Sequence, residues 1–157
     1  MSLEVPEGVQ AFNLWTIWIM ARMWERFPRK QFFACEHDRV YATENPAAAP
    51  MPFGPSEQQS SLVQQFCPTM DWLMAQGYLK GKTNHAGHYA MISLQERSFS
   101  VLNQIPRSIA PTLTPKAQKS LGALMRDAVV SKGTESLAGT LITAMVTAWT
   151  GGRSSPE

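Results

Sequence analysis

The feature that most constrains the fold of this chain is a long apolar segment near its start. Residues 9–27, VQAFNLWTIWIMARMWERF, contain no glycine or proline, and their apolar side chains cover most of a helical wheel. A helix that is apolar nearly all round must be buried on more than one side. Pro28 ends the predicted helix, because the residue before a proline disfavours the α region.

Two interpretations of this helix are open. It is the central core helix of one domain, or it packs on its own domain with one side and on a symmetry mate with the other. Charged residues make up only 17% of the chain, below the roughly 25% usual for soluble domains, which favours an apolar face covered by a second copy. The second interpretation predicts a homodimer, with interface residues Trp15, Trp18, Ile19, Leu141, Met145 and Trp149.

Residues 28–55 carry weaker signals. PRKQFFACEH, from residue 28, is predicted as a short helix with proline at its first position, where it is well tolerated. RVYAT, residues 39–43, is predicted as a short strand. ENPAAAPMPFGP, residues 44–55, holds four of the eleven prolines and is predicted as a loop within the domain.

A second helical register covers residues 56–76. Ser56 and Gln59 have the spacing of a capping box, and Gly77 suits the position just past the helix end. Pro68 interrupts the register, so the segment is either one kinked helix or two helices joined tightly at Cys67-Pro68. The apolar stripe consists of Leu62, Val63, Phe66, Met70, Leu73 and Met74.

Two strand candidates, YLKGK and HYAMIS, flank the turn-like sequence TNHAG and predict a β-hairpin. Ser93 and Glu96 form another capping box, which predicts a helix over residues 94–104. Two further helices are predicted over 114–131 and 134–149, followed by a disordered tail over 150–157.

The order helix, Gly-Tyr, hairpin, helix resembles the winged-helix fold. The residues that carry the resemblance lie in DWLMAQGYL and GHYAMISLQERSFSVL, and the matching part covers about residues 56–105. Regulators similar to the MarR and PadR groups have this hydrophobic skeleton. The resemblance implies a mainly α fold with a small β-hairpin, in a single domain of residues 1–157. Its winged-helix core would span about 28–105, with flanking helices over 9–27, 114–131 and 134–149 that build a dimer.

The resemblance also implies that the hairpin (the wing) and the helix before it contact DNA. Lysines of the hairpin suit phosphate contacts, whereas the helix over 56–76 contains no Lys or Arg, although Arg makes the commonest specific base contact. Its Ser and Gln side chains either hydrogen-bond to bases or form a solvated face. The candidate nucleic-acid-binding residues are Lys80, Lys82, His85, His88, Gln64, Gln65, Arg29 and Lys30.

Other classes of function have little support. Cys35, His37, Cys67, His85 and His88 would have to converge from three segments to bind a metal, so no metal is expected. Motifs for a nucleophilic serine or a phosphate-binding glycine loop are absent from the sequence, so neither an enzyme nor a cofactor is expected. The first residues lack the basic region of a secretory signal, and the apolar segment is too short to span a bilayer, which predicts a cytoplasmic protein with reduced thiols.

The sequence therefore predicts a non-enzymatic winged-helix protein that binds double-stranded DNA as a dimer and regulates transcription. The alternative is a winged helix that serves as a protein-interaction or assembly module and does not bind DNA. The absence of basic residues from the predicted recognition helix keeps this alternative open, since a fold does not determine a function.

Overall fold

The computed structural model describes residues 7–36, 39–45, 47, 51–52, 60–84, 86–104, 119–130 and 135–151. These residues are mostly helical and include one antiparallel sheet. The helices are α1 (Glu7–Glu25), α2 (Ser60–Gln64), α3 (Phe66–Ala75), α4 (Glu96–Leu102), α5 (Leu121–Val130) and α6 (Glu135–Gly151). The strands are β1 (Gln31–Glu36), β2 (Arg39–Thr43), β3 (Met51–Pro52), β4 (Leu79–Thr83) and β5 (His88–Leu94).

The five strands form a sheet in the order β3-β2-β1-β5-β4. Strand β1 pairs with β2 on one side, where Ala34 lies opposite Tyr41, and with β5 on the other, where Ala34 lies opposite His88. Strands β4 and β5 form the predicted hairpin. The mainly helical class is confirmed, but the sheet is larger than the single hairpin that the sequence predicts, because three preceding strands extend it.

Helix α1 is the central core helix, as the first of the two interpretations predicts. It contacts α3, α5, α6 and strand β5. Four of its largest side chains are completely buried: Trp15, Ile19, Met20 and Met23. Helix α5 approaches it so closely that a Cβ atom on Gly122 would stand 2.5 Å from the indole of Trp24, which explains the glycine at this position.

The six residues predicted for a dimer interface belong to this core. Trp15, Ile19, Leu141 and Met145 have no exposed surface, and Trp18 and Trp149 are at most 5% exposed. These side chains therefore bury their apolar surface within one chain and present almost no surface to a second copy. The homodimer itself stays a prediction, without a surface assigned to it among the described residues.

The segment after Pro28 is a strand, and its prediction as a helix was wrong. Residues 31–36 pair with strands on both sides, and Phe33 is completely buried in the core. Gln31 is also buried, and its Oε1 accepts a hydrogen bond from Arg22 Nε of α1 at 3.1 Å. Long-range pairing and this buried contact outweigh the weak local preference for a helix.

Residues 39–43 form the predicted strand. The predicted loop over 44–55 contains the short strand Met51–Pro52, which pairs with β2. Ser56 and Gln59 of the first predicted capping box lie outside the described residues.

The segment over 60–76 is two helices, and the break lies at Gln65, before the proline. Pro68 lies in the first turn of α3, where its missing N–H would have no partner within the helix. The side chain of Thr69 donates to the Gln65 carbonyl at 2.6 Å. The predicted junction at Cys67-Pro68 was therefore placed too late, because a proline in a first turn begins a helix well.

Gly77 ends α3 as predicted. Its φ is +88°, its N–H donates to the Met74 carbonyl at 3.2 Å, and the next N–H, from Tyr78, donates to the Leu73 carbonyl at 3.0 Å. These two bonds form a Schellman motif. The motif turns the chain directly from α3 into β4.

The capping box predicted at Ser93 was wrong. Strand β5 continues through Leu94, Gln95 precedes α4, and Ser93 Oγ is 3.5 Å from the Lys80 carbonyl across the hairpin. Helix α5 begins at Leu121, since Lys119 and Ser120 are not helical. Helix α6 extends two residues past its predicted end, and residues 105–118 and 152–157 lie outside the described part.

We expect Gly77→Ala to lower the free energy of unfolding by about 1–2 kcal/mol, because a Cβ atom is disfavoured in the left-handed region. Urea unfolding followed by circular dichroism measures this change. Gly139→Ala is the matched control: Gly139 lies within α6, and a Cβ there would be 3.7 Å from Asn13 Nδ2, an ordinary contact. The control should raise stability by up to about 1 kcal/mol. Equal effects of the two substitutions would contradict the assignment of the motif.

Candidate nucleic-acid interface

The hairpin β4–β5 presents two lysines on one face of the sheet. Lys80 lies opposite Ser93 and Lys82 lies opposite Ala90, and both lysines are exposed. Residues two apart on a strand point to the same side. Neither ammonium group is within 4.0 Å of a carboxylate among the residues that the structure describes. Their charges are therefore available to an anionic ligand.

A β-bulge distorts β5 between these two lysines. The pairing of β5 shifts register against both β4 and β1, and Met91 has a φ of +58°. Its side chain is 51% exposed, while the next residue, Ile92, is completely buried. Gly81 lies opposite the bulge, where a Cβ would be 2.4 Å from Ile92 Cδ1. The bulge therefore turns Ile92 into the core and Met91 towards solvent.

The same face of the sheet carries a group of aromatic side chains. We call it the outer face and define it by Phe32, Ala34, Tyr41, Lys80, Lys82, His88, Ala90 and Met91. Tyr41 and His88 lie opposite Ala34 on its two neighbouring strands. The rings of Phe32 and His88 are 6.0 Å apart, and Phe32 and Tyr41 are both partly exposed.

His88 is held by two neighbours and is less available than the lysines. Its Nε2 is 2.8 Å from Glu36 Oε1, and its Nδ1 is 3.2 Å from Asn84 Nδ2. Asn84 also shapes the hairpin tip, because its Oδ1 accepts from the N–H of Ala86 at 2.8 Å. The nearby carboxylate offsets any positive charge on His88. His85 lies outside the described residues.

Helix α3 and the end of α2 give little support to a base-reading role. Gln64 is exposed and Gln65 partly buried, and residues 60–76 contain no Lys or Arg. The carboxylate of Asp71 accepts a hydrogen bond from Tyr89 Oη at 2.8 Å. This surface is neutral to acidic, unlike the hairpin beside it.

Arg29 and Lys30 lie where α1 leads into β1. Arg29 is 3.4 Å from Glu44, whose other carboxylate oxygen is 3.3 Å from Arg26, so the charge of Arg29 is compensated. Lys30 is exposed and immediately precedes Gln31, which pairs with Ile92 of β5. Among the described residues, no carboxylate lies within 4.0 Å of the Lys30 ammonium group. Of the two residues, Lys30 is therefore the one whose charge is uncompensated.

A group of titratable side chains lies behind the sheet, of which Tyr89 is buried and the two cysteines are partly buried. The thiols of Cys35, on β1, and Cys67, on α3, lie near each other. Burial, and then the neighbouring thiol, raises the pKa of Cys35 to about 11. Burial and the hydrogen bond to Asp71 raise the pKa of Tyr89. Because only a thiolate is a good nucleophile, this environment disfavours covalent chemistry at Cys35.

The sequence did not suggest the two other rings of the aromatic group, Phe32 and Tyr41. They come from neighbouring strands, and the pairing register brings them to one face. The alternation in RVYAT places Tyr41 on the side opposite the buried Val40 and Ala42, which is the one local signal for it.

Three further observations bear on function. In the described part of the chain, His, Cys, Asp and Glu side chains do not form a group of three or more that could hold a metal ion. Within the same residues, every helix is too short or too polar to cross a bilayer. No protein-family model, curated protein or solved structure matches the chain significantly.

The partly buried thiol of Cys35 predicts a loss of stability at alkaline pH. An unfolded chain releases the Cys35 proton near pH 9, whereas the folded chain keeps it to about pH 11. The unfolded state therefore binds fewer protons in this window, and stability falls as pH rises through it. Urea unfolding between pH 8 and pH 10.5 should show this slope, and Cys35→Ala should flatten it. Tyr89→Phe removes the second titrating group and serves as the comparison. If Cys35→Ala leaves the slope of stability against pH unchanged, the Cys35 thiol is not the group that causes it.

Proposed function

We propose that this chain is a winged-helix DNA-binding protein that acts in transcriptional regulation and contacts the phosphate backbone through the hairpin β4–β5. The observation that carries the proposal is the pair Lys80 and Lys82, which are exposed on one face of the hairpin and free of carboxylate partners among the described residues. Lysine neutralises phosphate and releases counterions, which supplies most of the non-specific affinity for DNA.

The order of elements supports the winged-helix part of the proposal. Helix α3 ends in the Schellman motif at Gly77, the hairpin follows at once, and α4 comes directly after β5. This is the order on which the resemblance rests. The extra strands β2 and β3 widen the sheet beyond a simple wing.

The distribution of charge makes the hairpin the main contact and α3 a minor one. The surface of α2 and α3 offers amide side chains such as Gln64 but no cation. Contacts to phosphate position a protein on DNA but carry no direct sequence information. We therefore expect binding that depends strongly on salt and weakly on base sequence.

The same lack of cations on α3 favours a second candidate, a winged helix that binds another protein and not DNA. Asp71 contributes negative charge where a recognition helix would meet phosphates. If the protein does not bind DNA even at low salt, this second candidate is favoured over the first.

We expect Lys80→Gln and Lys82→Gln each to weaken binding to a random-sequence duplex and to reduce the slope of log K against log salt by about 1. Fluorescence anisotropy at several salt concentrations measures both quantities. Lys119→Gln is the matched control, because it removes the same charge from an exposed lysine. Lys119 lies just before α5, and its Nζ is 2.7 Å from Asp127 Oδ2. The control should leave the slope unchanged.

Two results would refute this assignment. If the unaltered protein binds neither duplex nor single-stranded DNA at low salt, the DNA-binding function is wrong and the protein-binding candidate is favoured. If all three lysine substitutions lower the slope equally, the contact is a general charge effect and is not made by the hairpin.

A further inference from the structure

We infer that the outer face of the sheet is a stacking surface for unpaired bases, so that the preferred ligand of this chain is single-stranded nucleic acid. The inference rests on the proposed nucleic-acid-binding function and specifies its substrate class. Two observations carry it: the partly exposed rings on one face of the sheet and the exposed cations beside them.

The rings are placed by the register of the sheet. Tyr41, Ala34 and His88 lie side by side on β2, β1 and β5. Phe32 lies two residues from Ala34 on the same strand, and its ring is 6.0 Å from that of His88. Phe32 and His88 therefore form a ring pair on two adjacent strands, and Tyr41 lies on the same face one strand further away.

One small residue, Ala34, lies between the positions of Tyr41 and His88. Ala34 is completely buried, whereas Phe32 and Tyr41 beside it remain partly exposed. The side chains around Ala34 therefore cover it completely, and the accessible surface here belongs to Phe32 and Tyr41. A flat aromatic ring that stays accessible offers a face on which any base can stack.

The cations lie on β4, at the edge of the sheet and on the same side of β1 as His88. Lys82 is on β4, and Phe32 is on β1, two strands away, which separates their backbones by about 10 Å. A base on the aromatic group would leave its phosphates near Lys82 and Lys80. A duplex holds its bases inside the stack, so it can use the lysines but not the rings. The face therefore favours a single strand over a duplex.

Met91 adds an apolar contact at the border between rings and lysines. Its backbone is in the left-handed region, which costs energy for a residue with a side chain, and the side chain is 51% exposed. A glycine would suit this φ better, so folding alone does not explain the methionine. Exposure of a flexible apolar side chain beside the aromatic group suits contact with a base.

The test compares three labelled ligands of matched sequence and of about 12 nucleotides per strand, within the roughly 4–16 nucleotides of known single-strand grooves. These are single-stranded DNA, single-stranded RNA and duplex DNA. Fluorescence anisotropy at low salt should give tighter binding of at least one single strand than of the duplex. The comparison of the two single strands shows which sugar is preferred.

Ring substitutions test the stacking surface directly. Tyr41→Leu and Phe32→Leu should each weaken single-strand binding by about tenfold and leave duplex binding unchanged, whereas Tyr41→Phe and Phe32→Tyr should keep most of the affinity. The aromatic replacements are matched controls, because they keep a stacking face at the same position. Thermal unfolding of each variant excludes a loss of folded protein.

Met91→Gly separates binding from folding. It relieves the left-handed backbone, so stability should stay equal or rise, while single-strand affinity should fall. A residue with only a structural role would not produce these opposite changes.

The outcomes distinguish this inference from the function on which it rests. Absence of binding to every nucleic acid refutes the proposed function and with it the inference. Binding that prefers the duplex, or that leucine at Phe32 and Tyr41 leaves unchanged, refutes the inference alone. In that second case the lysine-dependent salt slope still stands as evidence for DNA binding.

Discussion

The described structure depends on the burial of α1 on several sides. Trp15 packs edge-on against Phe66 of α3 with ring centroids 5.1 Å apart, and its Nε1 donates to the Leu62 carbonyl of α2 at 2.7 Å. The other side of α1 carries Trp24 against Gly122 of α5. One helix thus holds together the hairpin side and the C-terminal helices. A helix apolar nearly all round is what this position requires.

The parts of the fold that local physics controls could be predicted from the sequence. Helix α1, helix α6 and the hairpin each follow from periodicity or from turn residues within the element itself, and Gly77 ends α3 because glycine alone accepts its φ without strain. Strand β1 could not be predicted in this way. Its state is decided by two partner strands and by the buried contact from Arg22, all distant in sequence.

In the candidate site, too, only the features that depend on local sequence could be predicted. Lys80 and Lys82 could be predicted from the sequence, because two lysines within a hairpin form a local pattern. The aromatic group could not, since Phe32 lies in a segment predicted as a helix and meets His88 only through the sheet. The low charged fraction suggested a dimer, but the apolar residues chosen for it fill the core of one chain. Burial within the domain and burial between copies produce the same sequence pattern.

Tyr78, the residue after the Schellman glycine, joins the hairpin mechanically to the rest of the chain. Its ring lies between Trp72 of α3 and Trp149 of α6, with centroids 5.8 Å and 4.2 Å away. Its carbonyl accepts from Ser98 Oγ at 2.8 Å and from the Gln95 N–H at 3.2 Å. The hairpin is thus anchored at its base to three helices. A force applied to its tip would be transmitted into α6, so a load there acts on the whole helical body and not on a hinged arm.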